Sequence, residues 1–475
     1  MRIAWTKPIF AWECLDDDPD LKTIEFFLRL LPDGRLLEAL VRARGRGRDD
    51  YPVHVLWGVV VLTALLRHTA FAQTLAELRR NPSLRRLIGI ETAEEVPHSW
   101  NVTRFLAVLG TEPFLTLLRE AFDGLVRRLA EAVPDLGRHV AGDATGLSAR
   151  PARAEKTDPN PDGLPEPAGG RKEYTDEEGK VVKVVEWFGY KLHLLVDVVH
   201  EVAVAYRVSS AKDGDNEWLP VLVEEAVANL PAPAEGEAAT KPPAPPKAAG
   251  EPKRSHIETL AYDKAADDGE VHAALATHGI KPVIQNRALW KEEPERLLPG
   301  HDGRSNIVYD EAGTVYCYDK VSDPPVRQRM AYIGYEPARG TVKYRCPAMH
   351  GGWHCPSHAR CNAGLKYGKT VRVDCTLDLR RFPPIPRATK LFERLYKGRT
   401  AVERVNGRVK IFWGADDGNV TGAPRFHAHV AVVMLVHIGL ATLLAMAPRH
   451  TGVLGQTRLT AVARALRDKL GSASG

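Results

Sequence analysis

Tyr396–Lys410 reads YKGRTAVERVNGRVK. Tyr396, Arg399, Glu403 and Lys410 stand at offsets of 0, 3, 7 and 14 in this run. At about 100° per residue a helix carries them at roughly 0°, 300°, 340° and 320°, a stripe about 60° wide and about 21 Å long. Val402, Val405, Val409 and Phe412 project to the other side, at roughly 240°, roughly 180°, roughly 220° and roughly 160°. The spacing therefore predicts one helix with a buried aliphatic face and an outward carboxylate between cations. Gly407 falls on the polar stripe and, having no side chain, leaves room there for another backbone. A charged stripe can also be an ordinary wet face, with Glu403 paired to a neighbouring Arg. Yet Arg394, Lys397, Arg399, Arg404, Arg408 and Lys410 outnumber Glu393 and Glu403, and a merely soluble helix mixes the signs more evenly. A carboxylate set among cations suits a metal ion and a phosphate chain.

Outward from that run, the 475 residues are enough for two or three domains with large cores. The net charge of +5 is modest, so a nucleic-acid partner has to be argued from local patches. The N-terminal MRIAWTKPIFAWECLDDDPD lacks a long apolar core and does not read as a signal peptide. Six cysteines in this length do not make a disulfide scaffold. A cytoplasmic, nucleoid-associated setting is expected. Ala428–Ala447 is long enough to cross a bilayer, but His429 and His437 interrupt it. It reads as a buried core helix, and no membrane partner is expected.

Residues 1–135 read as helical. Pro52 marks one helix start ahead of the apolar Val53–Arg67, and Thr74 with Glu77 suggests a capping box. Asn81–Pro82 breaks the chain, and Ser99 reads as the cap of another helix. Arg79, Arg80, Arg85, Arg86 and Arg104 on these short helices suit a helix-turn-helix-like DNA-binding module, or equally a plain bundle with a wet basic face. From about residue 138 strands take over: HVAGDATG, EWFGYKLHLLVDVV, EVAVAYRVS and HIETLAYD, then KPVIQ, with a helix over Asn216–Asn229. Thr157–Arg171 and Leu230–Lys253 read as inserts without core-forming composition. Residues 291–385 read as a β-rich insertion holding five of the six cysteines.

Asp143 and Asp263 each end an apolar strand in this reading, where open α/β sheets place ligands. Each alone is as readily a turn cap. Neighbouring strands would bring them together, and Glu403 would complete a three-carboxylate cluster. Such a cluster needs a cation, because bare acids in contact repel and resist ionisation. Mg takes oxygen donors, and two ions about 3.5–4 Å apart serve phosphodiester cleavage. Mn would be able to substitute. Asp197, Asp267 and Asp268 are the rival acids. Separately, YRCPAMHGGWHCPSHARC gathers Cys346, Cys355 and Cys361 with His350, His354 and His358. Three thiols and an imidazole, or Cys317 or Cys375 as fourth ligand, would hold a structural Zn. The plainer alternative is a set of reduced thiols.

The Tyr396, Arg399, Glu403, Lys410 spacing resembles the Y-x2-R-x3-E-x6-K signature of bacterial insertion-sequence DDE transposases. The resemblance extends to DATG at Asp143, to FGYKLHLLVD, and to AYDKAAD at Asp263. DYPVHVLWGVVVLTALLRHTAFAQTLAELRRN and PHSWNVTRFLAVLG look like the helical N-terminal domain of the same family. It implies a helical N-terminal DNA-binding domain (1–135) and an α/β ribonuclease H-like catalytic core with a β-rich insertion. The core would comprise 136–290 and 386–447, the insertion 291–385, and 448–475 a C-terminal tail. It implies Asp143, Asp263 and Glu403 as Mg ligands and catalytic residues. Tyr396, Arg399 and Lys410 would contact DNA near the cleaved phosphate. Double-stranded DNA, as transposon ends and target, is the implied partner, bound by a homodimer or higher oligomer. The Pro/Ala insert before Asp263 departs from the compact pattern. The competing readings are a catalytically silent DNA-binding descendant and a simple Mg-dependent nuclease.

Overall fold

The computed structural model describes residues 19–45, 51–150, 163–175, 180–231, 255–291, 293–299, 306–417, 420–447 and 452–456, with 459, 462 and 464. Residues 1–18, most of the Pro/Ala insert and most of the tail lie outside them. The chain divides into two units. One comprises residues 1–136, 144–213 and 403–475, and the other 137–143 and 214–402.

The first unit begins with helices α1 (Pro19–Leu30), α2 (Gly34–Arg44), α3 (Val53–Leu65), α4 (Phe71–Arg80), α5 (Pro82–Arg86), α6 (Ser99–Leu109) and α7 (Phe114–Ala132). α3 is apolar on every side, and all of it but His54 is buried, as a helix enclosed by others must be. α7 is two-faced: Leu118, Phe122, Leu125, Val126 and Leu129 are buried, while Arg127 and Arg128 lie outside that face. Asn81 accepts from the Leu84 amide and caps α5, whose first residue is Pro82. Two expected caps are corrected. Thr74 lies inside α4, where its hydroxyl meets that of Thr63 (2.8 Å) and the ring of His68 (3.0 Å), so no capping box forms. Ser99 is the first helical residue of α6, and its N-cap His98 makes no side-chain bond.

The bundle closes around a helix from the far end of the sequence. The apolar helix Ala423–Ala445 packs on α7, α6, α3 and α1. It is long enough to span a membrane, yet 89% of its most apolar window is buried inside the protein. His437 sits wholly buried within it and accepts a bond from the Ala203 amide (3.2 Å). Burial, helped by the charge of Arg408, pushes its pKa down to about 3, so the ring stays neutral.

Strand β1 (His139–Ser148) is shared, its first half in the second unit and the rest in the first. In the first unit it is followed by β2 (Ala168–Thr175), β3 (Val181–Asp197) and β4 (Ala203–Ser210). β3 runs antiparallel to both β2 and β4, with Tyr190 opposite Ser210. Part of the expected loop 157–171 is thus strand β2.

In the second unit come α8 (Asp215–Asn229), β5 (Thr259–Tyr262), α9 (Gly269–Thr277) and β6 (Lys281–Ile284). β1, β5 and β6 are parallel, with His139 opposite Thr259 and Thr259 opposite Lys281. β5 is buried throughout, as a strand in a covered parallel sheet is. There follow two small antiparallel sheets. One contains β7 (Glu295–Leu297), β8 (Ile307–Asp310), β9 (Val315–Tyr318) and β10 (Arg327–Arg329). The other contains β11 (Ala331–Glu336), β12 (Thr341–Arg345) and β13 (Thr370–Asp374). Ile307, Val315, Val342, Tyr344, Val371 and Phe382 form their common core. Short helices α10 (Pro347–Gly351) and α11 (His358–Cys361) lie between β12 and β13.

The segment leaving this β region returns under a buried carboxylate. Asp267, with no side-chain exposure, accepts from Arg380 (2.8 Å), Arg387 (2.8 Å) and the Arg287 amide (2.7 Å), and pairs with His272 (3.2 Å). Arg387 also donates to the Ile284 carbonyl at the end of β6 (2.9 Å). These bonds fix the route of the chain into the last helices, α12 (Lys390–Lys397) and α13 (Thr400–Gly407). The long buried helix Ala423–Ala445 is α14.

Candidate active site

Asp143 does not end its strand. It sits in the middle of β1, just beyond the residues that pair with β5, and is 9% exposed. Asp263 does follow the end of β5. Its carboxylate accepts from the Ala265 amide (2.8 Å), so it also caps a short 3-10 turn. Between them stands Tyr262, 1% exposed. Its pKa is raised well above the ordinary phenol value by burial first, then by the charges of Asp215, Asp143 and Asp263, with Arg399 opposing. The charges of three carboxylates and one guanidinium thus bear on a single buried phenol. Arg399 reaches to 3.9 Å from Asp143.

Asp215 is the member that the sequence reading did not select. It opens α8, where a carboxylate is favoured by the helix dipole. Its signal was available: an acidic helix start, GDNEW, directly after the strand Ala203–Ser210. The rival acids are otherwise engaged. Asp197 turns the chain after β3 by accepting from the His200 amide (2.5 Å). Asp268 caps α9 through the Glu270 amide (2.8 Å). Asp267 is spent on its buried ion network.

The single helix expected over Tyr396–Lys410 is not continuous. α12 stops at Lys397, α13 begins at Thr400, and Arg408–Phe412 is a π-turn. Between them Gly398, Arg399, Ala401 and Val402 bond three residues back, to Leu395, Tyr396, Gly398 and Arg399. The path is overwound there and underwound past Gly407, so a constant angular step does not hold along it. The aliphatic side survives: Ala401, Val402, Val405 and Val409 are fully buried, and Glu403 is exposed. Glu403 belongs to the first unit, whereas the aspartates belong to the second. Tyr396 stacks on Phe392 with centroids 5.7 Å apart. Lys410 donates to the Gly146 carbonyl of β1 (2.5 Å) and pairs with Asp416 (3.4 Å), which also accepts from the Ser148 amide.

Two cations of the same run hold a buried carboxylate. Arg404 (2.6 Å) and Arg408 both bind Glu201, a residue 4% exposed in the β3–β4 turn with a left-handed backbone, φ 53°. They are anchors of the helix to the sheet, not part of an open basic stripe.

The N-terminal arginines have mixed surroundings. Arg80 pairs with Glu77 (2.6 Å) and Arg86 with Glu91 (3.9 Å). Arg85 donates to the Glu91 carbonyl (3.2 Å) and Arg79 to the Pro97 carbonyl (3.5 Å). Arg104 lies over the exposed Trp100 ring at 4.9 Å. Among the described residues no group of three or more His, Cys, Asp or Glu side chains is arranged to hold a metal ion as it stands.

The Transposase DDE domain family model matches residues 134–438, well over half of the chain. The Transposase domain (DUF772) model matches residues 17–107, within the opening helices. No curated protein matches the chain. The longer match takes in the strands, the Tyr262 surroundings and the broken helix alike, and the chain belongs to the DDE-domain transposases of insertion sequences.

Proposed function

We propose that this transposase binds the terminal inverted repeats of its element, cuts DNA at their ends and joins the freed 3′-hydroxyl to target DNA. The observation that carries the reading is the parallel pairing of β1, which holds Asp143, with β5, which leads into Asp263, and Arg399 at 3.9 Å from Asp143. Antiparallel β3–β4 and parallel β1–β5–β6 support a ribonuclease H-like core.

The donor set fits a hard divalent cation, since carboxylate oxygens are what Mg takes. Asp143, Asp263 and Glu403 would hold it, two ions in all, with Mn able to replace Mg. Bound there, the metal would polarise the scissile phosphate and lower the pKa of an attacking hydroxyl. The side chains of this protein do the rest. Arg399 supplies a planar two-donor grip for a phosphate, and Lys410 a point charge. In the absence of DNA these cations rest on Asp143, Gly146 and Asp416, so DNA must compete for them. Buried Tyr262 stays a neutral phenol. Arg79, Arg80, Arg85, Arg86 and Arg104 meet the DNA ends, some of them through phosphates alone. Assembly on DNA as a homodimer or higher oligomer would bring two ends together, in the cytoplasm beside the nucleoid.

Purified protein is incubated with Mg and DNA carrying the element's own ends, and cut and joined products are mapped. Cutting at the ends followed by joining to target supports the reading. Cutting without joining leaves a nuclease. End binding without any cutting leaves a silent DNA-binding protein.

A further inference from the structure

Four of the cysteines converge on one small cavity in the β region of the second unit. Cys317 comes from β9, Cys346 from the start of α10, Cys355 from the loop before α11 and Cys361 from the end of α11. They line a space of about 20 Å³ together with Met330 and Trp353. That volume admits one water-sized particle and no more. Cys375, the other candidate for the fourth position, is not among the lining residues. It lies 4% exposed in the apolar core with Val373 and Phe382.

Two side-chain amides are turned toward these sulfurs. Asn306 donates its amide to Cys317 Sγ (3.2 Å), and Asn362 donates to Cys346 Sγ (3.6 Å). Lys369 lines the same cavity. Amide donors and a lysine at such a cavity are partners of the kind that metal-bound sulfurs take from the shell around them.

The local fold has the same need. α10 has five residues and α11 has four, too few for a helix to stand by itself. The stretch from Cys346 to Lys369 carries no strand to hold it. Small lobes of this kind are held by a metal or by disulfides.

We propose that Cys317, Cys346, Cys355 and Cys361 bind one structural Zn ion as a tetrahedral four-sulfur site. Each thiol gives up its proton on binding, and the sulfurs close to about 2.3 Å from the metal. The thiols ring the cavity without meeting at ligand distance, and side-chain rotation of half-buried Cys355 and Cys361 would close it. His350 and His354 do not line the cavity, and His358, which does, turns its Nε2 to Met349 Sδ (3.0 Å).

The test uses the full untagged chain, purified under reducing conditions, with Zn measured by elemental analysis. About one Zn per chain is expected. Cys317→Ser and Cys361→Ser should each lower it to near zero, while Cys375→Ser keeps it. Because a serine variant can fail to fold, the wild-type protein is also stripped and reloaded with Co(II). Strong sulfur-to-cobalt charge-transfer bands, with the visible bands of a tetrahedral site, support four-sulfur ligation. No Zn together with no such bands overturns the proposal. So does Zn that survives Cys317→Ser but is lost in Cys375→Ser, or a disulfide among the four thiols found by mass spectrometry without reduction. None of these readouts depends on DNA cleavage, so failure here leaves the proposed reaction untouched.

Discussion

Asp263 and Asp267 lie four residues apart, and the protein uses them in opposite ways. Asp267 is sealed, with two arginines, a histidine and a backbone amide on its two oxygens. Asp263 is partly exposed and accepts from the Ala265 amide. The first carboxylate has its acceptor capacity filled by the protein. The second keeps room for something brought from outside. Two acids in one turn region are therefore separated by what already surrounds them, not by their place in the sequence.

The sharpest break of this contrast comes from replacing each acid by its amide. Asp263→Asn, like Asp143→Asn, should lower Mg-dependent end cleavage by at least about 100-fold while the melting temperature barely moves. Activity within a few-fold of wild type would remove these residues from the site. Asp267→Asn should do the reverse and act on the fold, at a cost of about 3–5 kcal/mol in denaturant titration, because two buried arginines lose their anion. Wild-type stability there should also respond to acid. Burial alone would raise the Asp267 carboxyl, but the His272 bond, the Arg387 charge, the Arg287 amide and the Arg380 bond hold it below its usual range. Its contribution is thus present above about pH 4 and fades as pH falls through the depressed folded value. A melting series from pH 6 to 3 should show that loss in wild type and a flatter curve in Asp267→Asn.

Glu201 gives a smaller effect of the same kind. Glu201→Gln should destabilise the first unit by about 2 kcal/mol, less than a fully sealed pair, since Arg404 remains half exposed. If thermal melts do not change, the anchoring role is wrong. The smallest effect belongs to Lys410. Lys410→Ala should lower the salt slope of DNA binding by about one unit and leave the Mg requirement at saturating DNA unchanged. A shifted Mg requirement with an unchanged slope would mean that Lys410 only props β1 through Gly146.

Much of this was legible beforehand, for definite reasons. Period-2 and fully apolar runs located β3, β4 and β5, and the buried faces of Val402, Val405 and Val409 followed from helical spacing. Asp143 and Asp263 were selectable because they adjoin such runs. What a projection cannot contain is a change of helical pitch, and Gly398 and the π-turn at Arg408–Phe412 supply two. Nor does spacing reveal long-range pairing. Glu201 met Arg404 and Arg408 from two hundred residues away, and Asp267 met Arg380 and Arg387 from more than a hundred. Asp215 was passed over because an acid at a helix start has an adequate local explanation.

The position of α14 has a consequence for how the protein is made. The opening helices bury their apolar surface against Ala423–Ala445, which a ribosome delivers only long after α1–α7. Until then Val55–Leu65 and the apolar side of α7 are unsealed, and contacts of such long sequence separation form slowly. Nascent chains halted before residue 423 should be cut by protease within α1–α7, and chains extended well past 447 should resist. A fragment ending near residue 135 would carry the same deficit. The arginines of α4, α5 and α6 are better tested by substitution in the whole chain, since a truncated one lacks the helix that completes their support.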